Sequence, residues 1–190
     1  MTRAFKPDPV PESLLTELVD LASRAPSAGK TQGWHVVVLQ GADTAKFWDV
    51  TFPDEEREDF PWPHLLDAPV IALPLADPQA YLDRYSSADK AESGLGASTA
   101  AWPVAYWTAD TAMSVNTLLL AAEDAGLGAL FFGVFNDEAA MRAALGIPEH
   151  LELLGAIALG YPVDGPHRPP ELSHRPRRRR PDQIIHVGGW

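Results

Sequence analysis

A run of basic residues near the C-terminus is the part of the chain best suited to bind a negatively charged group. Arg175 and the four residues from Arg177 to Arg180 lie close together, and guanidinium groups form paired hydrogen bonds with phosphate and carboxylate oxygens. The whole chain is acidic, with 15 basic and 26 acidic side chains and a formal charge of −11. The tail therefore requires an anionic partner. Three anionic partners are possible: the body of the same chain, an acidic face of another subunit, or a ligand that carries phosphate.

A second segment has part of the composition of a phosphate-binding loop. Residues 28–31 read Ala-Gly-Lys-Thr, which matches the end of a P-loop. That motif needs an earlier glycine, whose position is taken by Arg24, and a preceding strand, whereas a helical pattern precedes this loop. Without both features the backbone amides cannot surround a phosphate. Nucleotide hydrolysis by this loop is therefore not expected.

Several other chemistries are excluded by composition. The chain has no cysteine, which rules out disulfides, thiolate catalysis and cysteine-ligated zinc or iron–sulfur clusters. Its six histidines are scattered, and no pair has metal-ligand spacing with a carboxylate, so we expect no metal site. The acidic charge disfavours nucleic acid and anionic membranes. The absence of a long apolar run and of a signal-peptide pattern predicts a cytoplasmic protein.

The elements that must position these residues follow from apolar periodicity and from helix and strand breakers. Asp110 is predicted to cap the longest helix, which Gly126 ends, and Pro74 indicates that its strand ends there or lies at a sheet edge. The predicted helices are Leu14–Ala22, Asp43–Val50, Thr111–Ala125 and Asp137–Leu145, and the predicted strands are Trp34–Gln40, Ala68–Leu75, Ala129–Phe135 and Leu153–Tyr161.

Alternation of strands and helices by itself favours an α/β protein. We interpret residues 1–190 as a single domain, because no internal boundary or repeat is visible. Residues 76–100 and the tail 162–190 are too extended for a compact monomer, and the tail has no core of its own, which favours packing on another subunit. Side chains between Tyr81 and Lys90 are open to two interpretations, a substrate lid or an ordinary surface loop.

Four segments, in order along the chain, resemble the nitroreductase-like flavoprotein family. Their order and spacing over residues 3–187 carry the resemblance. The segments are Phe5-Lys-Pro-Asp-Pro-Val-Pro followed after a helix by Ala25-Pro-Ser-Ala-Gly-Lys-Thr-Gln-Gly-Trp34; Asn116-Thr-Leu-Leu-Leu-Ala-Ala with Ala125-Gly-Leu-Gly; Gly146-Ile-Pro-Glu with Ala158-Leu-Gly-Tyr-Pro; and Arg179-Arg-Pro-Asp-Gln-Ile-Ile-His.

The resemblance implies an α+β sandwich with a mixed central sheet flanked by helices. It implies an intertwined homodimer that exchanges its C-terminal strand and holds two FMN molecules at the interface. The implied activity is FMN-dependent oxidoreduction, with hydride passing from NADH or NADPH through the flavin to a small organic acceptor such as a nitroaromatic or a quinone. No catalytic side chain is implied, because the flavin N5 carries the chemistry.

The same resemblance assigns candidate cofactor-binding residues. Cations and a hydroxyl would hold the phosphate, two polar side chains would meet the pyrimidine edge, and backbone would approach N5. These residues are, respectively, Arg3, Ser27, Arg177 and Arg179; Lys30 and Gln32; and Phe131, Phe132 and Gly133.

Three departures from the family pattern keep alternatives open. The family usually has an additional Arg and Ser before Arg3, while Lys30 and Gly33 stand where Asn and Pro are usual. Loss of two charge-assisted phosphate bonds would weaken binding by roughly 10² to 10⁴-fold. A non-catalytic flavin-sequestering protein, and a deazaflavin-dependent or specialised dehydrogenase of the same fold, therefore remain open.

The same residues also have purely structural interpretations. Ser27 could cap a turn, and the arginine run could be a solvated tail. The large aromatic residues are more often core than cofactor contacts; these are Trp34, Trp102, Trp107, Phe131 and Phe132.

Overall fold

The protein is described by a computed structural model that covers residues 1–165 and 178–190. None of the helices in these ranges has the length and apolar composition that crossing a membrane requires. The helices are α1 (Glu12–Ala22), α2 (Ala45–Thr51), α3 (Pro78–Ser86), α4 (Tyr106–Asp124) and α5 (Glu138–Leu145), and the strands are β1 (Trp34–Gln40), β2 (Val70–Ala76), β3 (Gly128–Phe132), β4 (Glu152–Leu153) and β5 (Ala156–Gly160).

The strands form one sheet in the order β1-β2-β5-β3, and β4 also pairs with β2. Every neighbouring pair among the described strands is antiparallel. The prediction of a mixed sheet is therefore wrong for this part of the chain. A mixed sheet needs at least one parallel pair of strands, and the described residues of one chain form antiparallel pairs alone.

Strand β2 is the centre of the sheet, so the prediction that Pro74 marks an end or an edge is wrong. All seven residues of β2 are buried. Its partners on one side change from β5 at Val70–Ala72 to β4 at Leu75–Ala76. Pro74 lies between these two pairings and its carbonyl accepts a hydrogen bond from the Leu154 amide at 3.1 Å. Pro74 has no N–H, and this is no loss because on this side β2 has no strand partner at that point, between β4 and β5. The predicted strand over 153–161 is divided into β4 and β5 at the same place.

Alternate residues of β2 face opposite layers of helices, as strand geometry requires. Val70 and Ala72 pack with α1 and α4, whereas Ile71 and Leu73 pack with α2 and α5. The result is a sheet with helices on both faces, and the two apolar cores are separated by the sheet itself.

Helix α4 begins earlier than predicted, at Tyr106. Asp110 consequently lies inside the helix and is 4% exposed, so it is not the N-terminal cap. The C-terminal end is confirmed: Gly126 follows the helix with a left-handed φ of 78°, a conformation that glycine adopts without strain.

Helix α3 was not predicted, although its start carries a recognisable signal. The Asp77 carboxylate accepts a hydrogen bond from the Ala80 amide at 3.2 Å, and Pro78 occupies the first helical position. An Asp cap followed by Pro is a typical helix start. The segment 76–100 is therefore partly helical, which explains how a long connection packs against the sheet.

Candidate functional site

A cavity of about 430 Å³ opens where β3 ends, on the face of the sheet covered by α2. This volume lies in the range of small-molecule and cofactor sites. Among the described residues that line it, Arg3 alone has a charged side chain. Its walls are otherwise mainly aromatic, with rings contributed by Phe47, Trp48, Phe52, Phe60, Trp62, Phe131, Phe132 and Phe135.

The N-terminal segment fixes Arg3 at this cavity. The Thr2 amide donates to the Ala129 carbonyl at 2.9 Å, and the Phe5 amide donates to the His64 carbonyl at 3.0 Å. The Arg3 guanidinium lies over the Trp62 ring, 5.4 Å from its centroid, within the range of a cation–π interaction. The fold thus places one positive charge beside an apolar slot.

The aromatic wall is ordered by ring packing. The Trp48 and Phe132 rings are nearly parallel, with a 3° interplanar angle and centroids 5.9 Å apart. Phe47 packs edge-on against both, at 4.9 and 6.1 Å. Rigid, flat apolar walls of this kind suit a planar ring system.

Loop 27–33 connects α1 to β1 and has an unusual backbone. Gly29, Lys30 and Gln32 all have positive φ, at 61°, 54° and 53°. The Ser27 hydroxyl accepts from the Gln32 amide at 3.0 Å, and the Gln32 side-chain amide donates to the Ser23 carbonyl at 3.0 Å. The loop follows α1 and precedes β1, which is the reverse of the strand-to-helix setting that a P-loop needs.

One chain does not bring all the predicted cofactor residues together. Phe131, Phe132 and Gly133 line the aromatic cavity with Arg3. Ser27 and Gln32 instead line a much smaller polar pocket beside Asp110, and the Lys30 side chain is exposed.

Of the two tail arginines predicted to bind the phosphate, one lies within the described residues. Arg179 is exposed and donates to the carbonyl of Gln183 within the same segment, whereas Arg177 lies outside the described residues. The roles assigned to the predicted cofactor residues remain predictions.

The sequence analysis missed the role of Asp110, whose carboxylate bridges two distant segments. Its Oδ2 accepts hydrogen bonds from the Ala28 amide and from the Tyr81 hydroxyl, both at 2.7 Å. Burial, and then the hydrogen bond to Asp110, raise the pKa of Tyr81 well above its ordinary value. Asp110 is the one acidic residue of α4 outside its last turn, where Glu123 and Asp124 lie, and this isolated position was the available signal.

Residues considered for a lid belong instead to the packing around this loop. Tyr81 is 1% exposed and packs with Trp102 and Trp107, which confirms that both tryptophans are core residues. Arg84 donates from Nε to the Gly29 carbonyl at 2.9 Å and forms two further bonds to Asp89, at 2.8 and 2.9 Å. The Arg84 guanidinium, followed by Ser87, holds the pKa of Asp89 below its ordinary value.

Comparison with known proteins assigns this chain to a protein family. Residues 1–161 match the Nitroreductase family. The chain belongs to the nitroreductase family. A NADH dehydrogenase of Thermus thermophilus is 30% identical over 176 residues, which cover 85% of this chain and 82% of that protein. The expected oxidoreductase class is confirmed at the level of this family.

Solved structures show the same fold. A nitroreductase-like protein from Streptococcus mutans superposes with a TM-score of 0.75 at 18% identity and covers 98% of this chain and 92% of its own. A protein described as an oxidoreductase containing FMN has a TM-score of 0.64 at 21% identity, with 86% and 73% coverage. The α+β nitroreductase fold is therefore confirmed, while the homodimer and the exchanged C-terminal strand stay predictions.

Proposed function

We propose that this nitroreductase-family protein is an FMN-dependent oxidoreductase that takes hydride from NADH or NADPH and passes it to a small organic acceptor such as a nitroaromatic or a quinone. The aromatic cavity at the end of β3, with Arg3 as its charged residue, is the observation that carries the proposal. When bound, the flavin supplies the redox chemistry. The chain supplies binding, orientation and exclusion of water.

The residues present fit a flavin. Phe131 and Phe132 offer apolar surface to a flat tricyclic ring, and Arg3 offers a cation to its electron-rich edge or to its phosphate. Within residues 1–165 and 178–190, no acidic side chain lines the cavity, so the acidity of the whole chain does not oppose an anionic cofactor there. A Cβ atom built on Gly133 would lie 2.5 Å from the Phe135 ring, so the glycine lets this aromatic side chain pack against the backbone at the cavity.

The site requires a second copy of the chain in this proposal. Ser27, Lys30 and Gln32 lie away from the aromatic cavity of their own chain, so they would meet a flavin held by the partner. Helix α4 presents an exposed apolar stripe for the contact between copies: Tyr106, Met113 and Leu120 are 40%, 39% and 60% exposed. Seven-residue spacing keeps these side chains on one side of the helix.

The basic tail completes the proposed arrangement. Arg177 and Arg179 would neutralise the FMN phosphate. The exposed Ile184, Ile185 and Val187 would pack on the partner, as expected of an exchanged C-terminal segment. A phosphate-bearing cofactor and an apolar partner surface would together give the tail its missing partners.

The experiment is spectroscopic. The full chain is purified, incubated with FMN, and freed of excess cofactor; retained yellow colour that bleaches anaerobically with NADH or NADPH supports the proposal. Colour that neither nucleotide bleaches indicates a flavin-sequestering protein. A protein that retains a deazaflavin in place of FMN, or retains no cofactor, overturns the FMN assignment.

A further inference from the structure

Loop 27–33 is held in its left-handed conformation by groups from outside the loop. The Ala28 amide donates to Asp110 of α4 at 2.7 Å, and the Gly29 carbonyl accepts from Arg84 of α3 at 2.9 Å. The Gly33 carbonyl accepts from the Asp77 amide at 3.0 Å. Lys30 and Gln32 have positive φ angles that residues with a side chain adopt only under constraint. These external bonds supply that constraint.

Close packing leaves the loop little room to shift. A Cβ atom built on Gly29 would lie 2.9 Å from the Tyr85 ring, and one built on Gly33 would lie 2.8 Å from the Tyr81 ring. Both glycines thus let the loop backbone press directly on α3. The loop is therefore packed against one helix and hydrogen-bonded to another.

Asp110 differs from the other anchors because it is buried and ionisable. It is 4% exposed, and its partner Tyr81, which is 1% exposed, packs against Trp102 and Trp107. A buried carboxylate is costly unless its hydrogen bonds repay desolvation, and a small apolar residue would fit this helix position at lower cost. The presence of a carboxylate at this buried position is explained by its hydrogen bond to the Ala28 amide, the first amide of the 3₁₀ turn Ala28–Lys30.

We propose that Asp110 is the positioning residue of the cofactor-binding loop. By accepting the Ala28 N–H, it holds Ser27, Lys30 and Gln32 in the conformation that contacts the flavin, without touching the flavin itself. The proposal rests on the function proposed above. Tyr81 supports the same oxygen of Asp110 and fixes the direction in which the carboxylate faces.

The test compares the full-length chain with Asp110→Ala, Asp110→Asn and Tyr81→Phe, each well below its own melting temperature. Ser114→Ala is the matched control, because Ser114 is buried on the same helix one turn away and makes none of the anchoring bonds. Two readouts are taken: the FMN dissociation constant by fluorescence titration, and the rate of tryptic cleavage after Lys30 in the cofactor-free protein. Lys30 is exposed, so its cleavage reports how ordered the loop is.

Asp110→Ala is expected to weaken FMN binding by about ten- to a hundredfold, the equivalent of one hydrogen bond to a charged group, and to accelerate cleavage after Lys30. Asp110→Asn retains an oxygen that can accept the Ala28 N–H, so it should restore part of both properties. Tyr81→Phe should have a smaller effect than Asp110→Ala, and Ser114→Ala should have none.

Two results would overturn the positioning role. In one, Asp110→Ala weakens FMN binding while cleavage after Lys30 is unchanged. In the other, cleavage accelerates while FMN affinity is retained. A wild-type chain that binds no FMN overturns both the proposed function and this proposal. This failure is distinguishable from failure of the positioning role alone, because it is seen in the wild-type protein without any variant.

Discussion

At the scale of single residues, Arg3 is the cation that one chain brings to its aromatic cavity. Replacement by Gln should weaken FMN binding by about tenfold or more, because a hydrogen bond to a charged group is lost. Fluorescence titration measures the change. Lys6→Gln is the control, because Lys6 pairs with Asp164 at 3.3 Å and is not among the residues that line the cavity. Equal affinities for wild type and Arg3→Gln would remove Arg3 from the site.

Tyr81 predicts how stability responds to alkaline pH. Its pKa is raised in the folded protein, by burial first and then by Asp110, whereas the unfolded phenol titrates near its ordinary value of about 10. The contribution of this group is therefore fully present below about pH 10 and is lost as pH rises above that value. Unfolding free energies measured at increasing pH should fall less steeply for Tyr81→Phe than for wild type. If the absorbance of the folded protein showed that all four tyrosines ionise without unfolding, the raised pKa of Tyr81 would be contradicted.

The residues that the family resemblance names for the cofactor lie in two different places of one chain, and their roles stay predictions. Arg3 and the Phe131–Gly133 segment were expected at the cofactor from the family resemblance, and they share one cavity because the Thr2 amide donates to the Ala129 carbonyl of β3. Asp110 was expected to cap a helix, since an acidic residue before an apolar run is the usual local signal for a helix start. Its actual partner, Ala28, is 82 residues away, and no local pattern reports a contact of that length.

At the scale of elements, Gly33 shows how closely loop 27–33 packs on α3. Gly33→Ala would place a Cβ atom 2.8 Å from the Tyr81 ring and 3.2 Å from the Asp77 carbonyl, so it should lower the free energy of unfolding by about 1–3 kcal/mol. Chemical denaturation measures this loss. Gly189→Ala, where nothing lies within 4 Å, is the control and should change the value by less than about 0.5 kcal/mol. If Gly33→Ala left the free energy of unfolding unchanged, the loop would be shown to move away from α3.

Elements with a strong local signal were predicted well, and those defined by neighbours were not. Trp34–Gln40 has the bounds that its continuous apolar run indicates. Pro74 was assigned to an edge because proline lacks a donor, yet β2 is central. The difference arises because its two partners on one side, β4 and β5, leave a gap opposite the proline. The gap is set by the chain near residue 155, where β4 ends and β5 begins. The sequence near Pro74 therefore cannot indicate it.

At the scale of the whole molecule, the exposed stripe on α4 predicts the assembly. Leu120→Glu would place a charge where the proposed second copy packs, and burial of an unpaired charge is strongly unfavourable. Light scattering with size-exclusion chromatography should show a dimer for wild type and a monomer for this variant. The monomer should also lose FMN, because each cofactor would be shared by two chains.

Thr16→Glu provides the matched control for that prediction. Thr16 is exposed on α1, a helix that packs beside α4 on the same face of the sheet, and it lies outside the apolar stripe. This variant should keep both the dimer and the cofactor. A Leu120→Glu protein that stays dimeric and yellow would show that the copies meet elsewhere. The sequence could indicate a dimer only through its unpartnered tail, since the exposed face of a helix is defined by what the rest of the fold leaves uncovered.

The central position of β2 has a consequence for the growing polypeptide. Val70 pairs with Leu159, so one side of a fully apolar strand stays open during synthesis until much of the chain has left the ribosome. An open apolar strand can recruit a strand from another nascent molecule. Pro74 offers no amide hydrogen at the middle of this strand, which weakens such a contact, and the completed sheet tolerates the proline because β4 and β5 separate there. The residue that looks least suited to a sheet interior therefore leaves one backbone hydrogen bond fewer for such an intermolecular strand to form.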